Sequence, residues 1–283
     1  MIYVVTATHN RKKITKKLVK CLNSQCYENW HLIVTDAGST DETSLMLNGN
    51  IEETKLSLIL GDENLWWTGG IQTAREFLIN ELKPKDDDVV LILNDDVEFD
   101  KDVFQDIENS VRKSSGTMIL GIEYDKYTKK ELKPGVKINW LKLKFSATKN
   151  HEEIDALPTR FLFMDYQTFF NAGDFSYKLF PHYASDYHWT INAKKKGFSL
   201  KVDEKIEYFC DVNTTGIKTN PEKNIISMLK SHFSKKNPIN PIYLSVFFFI
   251  NSPFGLKTIN FLRVWILSIA KVSRLILLSF RKK

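Results

Sequence analysis

Cysteine is scarce in this chain of 283 residues. The three present, Cys21, Cys26 and Cys210, are an odd number and show none of the Cys-x-x-Cys spacing of a metal module. A disulfide scaffold and a zinc module are thereby excluded as organising principles. The first residues, Met1-Ile-Tyr-Val-Val-Thr-Ala-Thr-His-Asn10, lack the basic segment that precedes a signal peptide's apolar core, and their apolar run is too short to span a bilayer. The expectation is a chain that stays in the cytoplasm. Acidic residues are also missing from one region: none follows Glu222, while eleven Lys and Arg do. Removing those eleven from the formal net charge of +6 leaves −5 for residues 1–222, so the basicity belongs to the tail. A uniformly basic chain would point to nucleic acid, which is not an expected partner here. An acidic body with a basic, aromatic and aliphatic tail points to an anionic membrane surface.

What is present, 43% hydrophobic and 26% charged residues, provides one large core or two small ones and excludes a disordered chain. Apolar runs of strand length occur at Ile2 to Thr6, His31 to Thr35, Lys55 to Leu60, Val89 to Leu93 and Thr117 to Ile122. Stretches of helical spacing lie between them at Lys12 to Leu22, Asp41 to Leu47, Gly70 to Leu82 and Asp102 to Lys113. This β-α-β-α order predicts a largely parallel, doubly wound α/β sheet that binds its ligand at the carboxyl ends of the strands. Residues 123–150 have poor periodicity and read as a loop or hairpin. A strand at Phe161 to Met164, a helix from Ser185 to Lys196, and strands near Phe198 to Val202 and Ile206 to Cys210 follow.

The strand-end rule yields the candidate residues: Thr8-His9-Asn10-Arg11, Asp36-Ala-Gly-Ser-Thr-Asp41, Gly61-Asp-Glu-Asn64 and Asn94-Asp95-Asp96. Adjacent carboxylates directly after a buried strand have the hard oxygen chemistry that holds Mg2+ or Mn2+ against a diphosphate, although an isolated Asp-Asp pair is also a common turn. Asp36 before Gly38 fits either a base or ribose contact or a turn into a helix cap. Trp66-Trp67-Thr68-Gly69-Gly70 offers an apolar wall and a backbone open to close approach, with core packing as the alternative for one tryptophan.

Taken in order, Thr8-His9-Asn10-Arg11, Asp36 to Asp41, Asn64 to Gly70, Leu93-Asn-Asp-Asp-Val97 and Ser185-Asp186-Tyr187-His188-Trp189 resemble the family 2 glycosyltransferases, which have a GT-A fold. Within that family they are most similar to the bacterial rhamnosyltransferase-like branch. The resemblance covers residues 1 to about 210. It implies a catalytic domain over 1–220, with a nucleotide-sugar half (1–122) and an acceptor half (123–220), followed by a helical tail over 221–283. It further implies transfer, with inversion, of a sugar from a nucleotide-diphosphate donor to a lipid-linked saccharide, with Mn2+ or Mg2+ as cofactor. Carried over residue by residue, Asp36 contacts the base, and Thr8, Asn10 and Arg11 close its pocket. Trp66, Trp67, Gly69, Gly70, Asn94 and Asp95 complete the donor site, Asp96 binds the metal and Asp186 is the general base. Asn94 stands where the family has a first carboxylate. His182, His188 and His232 are possible metal or diphosphate contacts, and His188 and Trp189 are candidates for the acceptor pocket. A sugar-phosphate nucleotidyltransferase and a non-catalytic nucleotide-sugar scaffold are the alternatives. The former normally shows a Gly-rich basic segment after strand one, which Thr8 to Arg11 does not.

In the tail, Phe261 to Phe280 is mostly apolar and is interrupted at Arg263, Lys271 and Arg274, which fall within about 80° of one another on a helix. That pattern predicts a helix lying in the interface of the cell membrane on its cytoplasmic face, each basic residue adding roughly 1 kcal/mol of attraction. A packed helix or a homodimer contact is the alternative. Tyr243 to Ile250 reads as a second membrane or dimer segment.

Overall fold

Strand β1 (Ile2–Thr8) is buried along its whole length, and its alternating side chains feed two different cores. Ile2 and Val4 point to one layer and Tyr3, Val5 and Ala7 to the other, as a period of two requires. The computed structural model describes residues 1–132, 134–211 and 225–280. The first layer holds α1 (Lys12–Asn23), α2 (Thr43–Asn48) and α4 (Val103–Arg112), which bury Leu18, Leu22, Met46, Leu47, Phe104 and Ile107. The second holds α3 (Trp66–Phe77), α5 (Tyr166–Ala172) and α6 (Ser185–Lys195), with Ile71, Ala74, Phe169 and Trp189 inside.

The remaining strands of the main sheet are β2 (Trp30–Asp36), β3 (Leu56–Leu60), β4 (Val89–Leu93), β5 (Val97–Glu98), β6 (Thr117–Asp125), β9 (Phe161–Asp165) and β10 (Ser199–Cys210). Their order is β3-β2-β1-β4-β9-β6-β10-β5. The β3-β2-β1-β4 half is parallel, as the alternation of strands and helices predicts. β9 runs antiparallel between β4 and β6, while β6 and β10 are parallel. Where two strands are expected between 198 and 210, one continuous β10 forms, with a register shift between Asp203 and Glu207. Strand β5 and helices α5 and α7 (Ile225–His232) are additions to the elements read from the sequence. Helix α3 starts four residues earlier than its spacing predicts, so both tryptophans and both glycines belong to it.

The segment 123–150 does contain a hairpin, β7 (Gly135–Asn139) with β8 (Lys144–Thr148). Its inner side chains join a third core with α6, α8 (Pro241–Asn251) and α9 (Lys257–Phe280). Of the segment Tyr243 to Ile250, read as a membrane or dimer contact, one face is thus taken up by the body while Phe249 stays exposed. Phe247 and Phe248 are fully buried and pack on Trp140, Phe145 and Phe180. Helix α9 turns Asn260, Val264 and Ser268 inward and leaves Ile259, Leu262, Ile266 and Ile269 exposed. Arg263 is committed to the body, donating to the Leu141 carbonyl at 2.7 Å, so it is not part of a free basic face. Residues 281–283, the basic end assigned to lipid contact, lie outside the described residues. Among the described residues no helix is long and apolar enough to cross a membrane.

Candidate functional site

The carboxyl ends of β1 and β4 lie side by side because the two strands are parallel neighbours. This brings Thr8 and Arg11 onto Asp95 and Asp96 across more than eighty residues of sequence. Asp95 Oδ2 accepts from the Thr8 hydroxyl at 2.9 Å and from the Thr15 hydroxyl at 3.1 Å. The Arg11 guanidinium spans both carboxylates, with Nε 3.3 Å from Asp95 and a terminal nitrogen 3.0 Å from Asp96. Asp95 is nevertheless pushed up to about 6, since burial outweighs Arg11 and the two threonines. Thr8, expected to close the base pocket, is buried here with its hydroxyl on Asp95. Asn94 is half-buried beside the pair, its N–H donating to the Arg160 carbonyl.

The end of β2 is built around Asp36. Its carboxylate accepts from the Ser39 N–H at 2.9 Å and from the Ser44 hydroxyl. The side chain is buried, and this use is structural: it folds the 37–44 loop over the sheet edge. Asn10 reaches the same loop from β1. It adopts a left-handed φ of 51°, its N–H donates to Ser39 Oγ and its Oδ1 accepts from Thr40 N–H at 2.8 Å. Asn tolerates that backbone better than most residues. Asp36 and Asn10 therefore shape one loop together.

The start of α3 and the start of α6 form one wall, joined by Thr68 Oγ1 donating to Ser185 Oγ at 2.9 Å and Thr68 N–H donating to the Pro181 carbonyl. Trp66 opens α3 at a φ of 53°, an unusual backbone for a bulky residue, and its ring lies 6.1 Å from that of His182. Trp67 packs against the second core. The two glycines serve packing. A Cβ on Gly70 would sit 2.7 Å from Ala7 Cβ, so the missing side chain lets α3 approach β1, and Gly69 packs on Leu65 and Tyr177.

Asp186 lies in the first turn of α6, half-buried, with Oδ1 accepting from Tyr187 N–H at 2.9 Å. Burial raises it to about 6, against the lowering effects of backbone N–H groups and Arg160. Arg160 was not singled out by sequence. It forms a tight ion pair with buried Glu123, which also accepts from the Cys210 thiol, and its charge is felt by both Asp96 and Asp186. Nothing in the local pattern around Pro158-Thr-Arg160 announces that role; it arises because β9 is inserted next to β4. His182 is held neutral, its pKa depressed to about 4 by burial, Lys236 and Arg11.

The two residues expected in the acceptor pocket are both buried. Trp189 is 1% exposed, donates its indole N–H to the Gly173 carbonyl and stacks on Phe175 at 4.4 Å. His188 is buried between Asn251 and Asn192, tying α6 to α8. His232 bonds Ser268 and so joins α7 to α9.

Solved structures of similar fold include GalNAc-T7 with UDP, GalNAc and Mn2+, at a TM-score of 0.58 and 11% identity, over 75% of this chain and 44% of that one. S. aureus TarS matches with a TM-score of 0.57 and 15% identity over 90% of this chain and 50% of that one. S. aureus TarS 1–349 in complex with UDP gives 0.55 and 16% over 75% and 60%. The chain therefore spans about half the length of these neighbours, and the likeness is one of fold, an α/β GT-A-like architecture. No curated protein sequence matches the chain. Residues 3–177, more than half of the chain, match the Glycosyl transferase family 2 domain. That segment includes Thr8, Arg11, Asp36, Asp95 and Asp96, the residues that meet at the sheet edge, and the chain belongs to glycosyl transferase family 2.

Proposed function

We propose that the protein is an inverting glycosyltransferase that moves a hexose from a nucleoside-diphosphate donor to a hydroxyl of a lipid-linked saccharide. The donor is dTDP-rhamnose, following the rhamnosyltransferase-like branch, or a UDP-sugar. UDP-bearing neighbours of the same fold support the latter class. The observation that carries the reading is Asp186: a half-buried carboxylate at a helix start, raised to about 6, within reach of the same Arg160 charge that acts on Asp96. A base of that strength is mostly ionised at pH 7.5 yet takes up a proton far more readily than an exposed aspartate.

In the reaction, Asp186 accepts the proton of the acceptor hydroxyl as its oxygen attacks the anomeric carbon. The bond from that carbon to the diphosphate oxygen breaks on the opposite face, which inverts the configuration. Negative charge then grows on the departing nucleoside diphosphate, on the side where Arg11 and Arg160 stand. Asp36 and Asn10 hold the loop against which the base and ribose rest, and Trp66 forms the apolar side of the donor pocket.

The residues fit a divalent ion of modest protein ligation. Asp95 and Asp96 supply hard carboxylate oxygens, and among the described residues no group of three or more His, Cys, Asp or Glu could hold a metal. One or two carboxylates completed by substrate phosphates is the usual Mg2+ arrangement, so Asp96, with Asp95 behind it, would hold Mg2+ or Mn2+. When bound, such an ion neutralises the diphosphate.

Residues 1–220 carry the chemistry in this reading, and 221–283 seat the protein peripherally on the cytoplasmic face of the cell membrane. The exposed stripe Ile259, Leu262, Ile266 and Ile269, with the chain's excess of basic residues beyond Glu222, supports an anionic lipid surface as the occupant. The direct test is calorimetric titration with UDP, dTDP, GDP and CMP, with and without Mn2+, followed by transfer assays with the sugar nucleotide of the preferred base. A metal-dependent preference for one nucleoside diphosphate, with turnover lost in Asp186→Asn but binding retained, is the expected result. Absence of binding to all four overturns it.

A further inference from the structure

The turn between α7 and α8 is far from the matched family segment in sequence, yet it comes to the rim of the candidate donor site. It is held firmly. The Asn237 amide donates to the Ser231 and His232 carbonyls, and the Asn240 amide donates to those of Phe233 and Ser234. Asn240 Oδ1 also caps α8 by accepting from Ile242 N–H at 2.9 Å, and His232 is bonded to Ser268 of α9 at 2.7 Å. These contacts fix the path of the two residues at the tip, Lys235 and Lys236.

Lys235 places its ammonium 5.2 Å from the centre of the Trp66 ring. Lys236 lies near enough to His182, the ring neighbour of Trp66, for its charge to act there alongside that of Arg11. Three cations thus gather around the Trp66–His182 edge. Arg11 is balanced by Asp95 and Asp96. Neither lysine joins an ion pair among the described residues. Two ammonium groups held on one rim repel each other, and an anionic ligand bound there would relieve that repulsion. Both side chains are exposed, so they reach a ligand without first being desolvated or broken from a partner. A lysine ammonium with three rotatable donors suits phosphate oxygens, and the indole face under Lys235 steers it by cation–π attraction.

We propose that Lys235 and Lys236 are donor-binding residues of this transferase, carried over Trp66 by the α7–α8 turn to contact the diphosphate of the nucleotide sugar. The proposal rests on the donor site described above and adds to it a cationic element from the C-terminal segment. It assigns the lysines to the phosphates and not to the base, so they recognise any nucleoside diphosphate and leave base choice to the Asp36 loop.

The test uses the full chain with Mn2+ present and compares wild type, Lys235→Ala/Lys236→Ala and Lys235→Arg/Lys236→Arg. Calorimetry follows UDP and dTDP, ligand-detected NMR follows uridine and thymidine, and melting curves follow the fold. The alanine pair should weaken the diphosphate that wild type binds by about tenfold or more, as loss of charge-assisted contacts does, with the gap narrowing at high salt. The nucleoside should bind within about twofold of wild type, and the arginine pair should recover most of the diphosphate affinity. Equal diphosphate affinity in wild type and the alanine pair overturns the proposal while leaving the donor site intact. Parallel loss of nucleoside and diphosphate with a lowered melting point assigns the lysines to folding, and also overturns it. If wild type binds neither diphosphate, the donor-site reading itself fails and the proposal with it.

Discussion

Replacing Asp186 by Asn should slow transfer by orders of magnitude and stabilise the protein at the same time. Asn keeps the shape and the Oδ1 acceptor that Tyr187 N–H uses, so only the charge and the basicity are removed. Asp186 has a pKa of about 6 in the folded chain against an ordinary 3.8. A difference of roughly two pH units corresponds to about 3 kcal/mol, reduced to about 2 because solvent reaches the half-buried carboxyl. The sign follows from the raised value. The protonated group is the one the fold favours, so its stability contribution is complete below about pH 4 and is lost as pH rises through about 6. The neutral amide avoids that loss. At pH 8 the variant should therefore melt about 5 °C higher than wild type, and the two curves should converge near pH 4. Asp95, also raised to about 6, is present in both proteins and cancels from the difference. Transfer should fall by roughly 100-fold to 10,000-fold, the usual worth of a general base, while wild-type activity should show an acid limb near pH 6. Melting at pH 4, 6 and 8 with turnover at pH 8 checks both halves. A variant less stable than wild type at pH 8, or one whose advantage does not change with pH, would refute the electrostatic argument. Retained turnover would refute the assignment of the base.

Three further outcomes follow from packing and charge. Gly70→Ala should cost about 1–3 kcal/mol in denaturant melts, because its Cβ would lie 2.7 Å from Ala7 Cβ, and Ala7→Gly in the same chain should restore part of it. Arg160→Met should cost about 3–5 kcal/mol by leaving Glu123 buried and unpaired, and adding Glu123→Gln should recover a portion, measured as a double-mutant cycle. Ile266→Glu and Ile269→Glu, both on exposed positions of α9, should each weaken binding to phosphatidylglycerol-rich vesicles about tenfold in flotation assays without lowering the melting point; unchanged flotation would remove the membrane from the proposed function.

The parallel half of the fold was legible because β1, β2 and β4 are apolar on both faces, and the strand-end rule then located Asp36, Asp95 and Asp96. What sequence could not show depends on partners distant in the chain. β9 pairs antiparallel with β4 across about seventy residues, and only that pairing brings Arg160 into range of Asp96 and Asp186. Trp189 reads like a pocket residue beside Asp186, but α6 places it one turn further along and inward, where its N–H meets the Gly173 carbonyl. Gly69 and Gly70 have the composition of a ligand loop, and the helix simply begins earlier than its spacing implies. Lys235 and Lys236 are two ordinary lysines in a polar turn until α7 and α8 set that turn beside Trp66.

The C-terminal helices are a structural member of the fold as well as the segment proposed to meet the membrane, and the two duties divide by helix face. In α8, Phe247 and Phe248 are sealed in the third core while Ile242 and Phe249 stay open. In α9, Asn260, Val264 and Ser268, spaced by four, face the body, and the larger aliphatics face out. A soluble helix normally does the reverse, burying its most apolar stripe. The inversion means that packing on the body has not used up the driving force available to α9, which fits a second apolar neighbour. It also dictates how the tail must be tested. Cutting the chain after Asn240 would strip Phe247 and Phe248 from the core and Asn251 from His188, so loss of membrane binding or of activity in that truncation would report unfolding around α6. Substitutions confined to the outward stripe leave those contacts in place, and they alone separate the lipid-facing duty from the structural one.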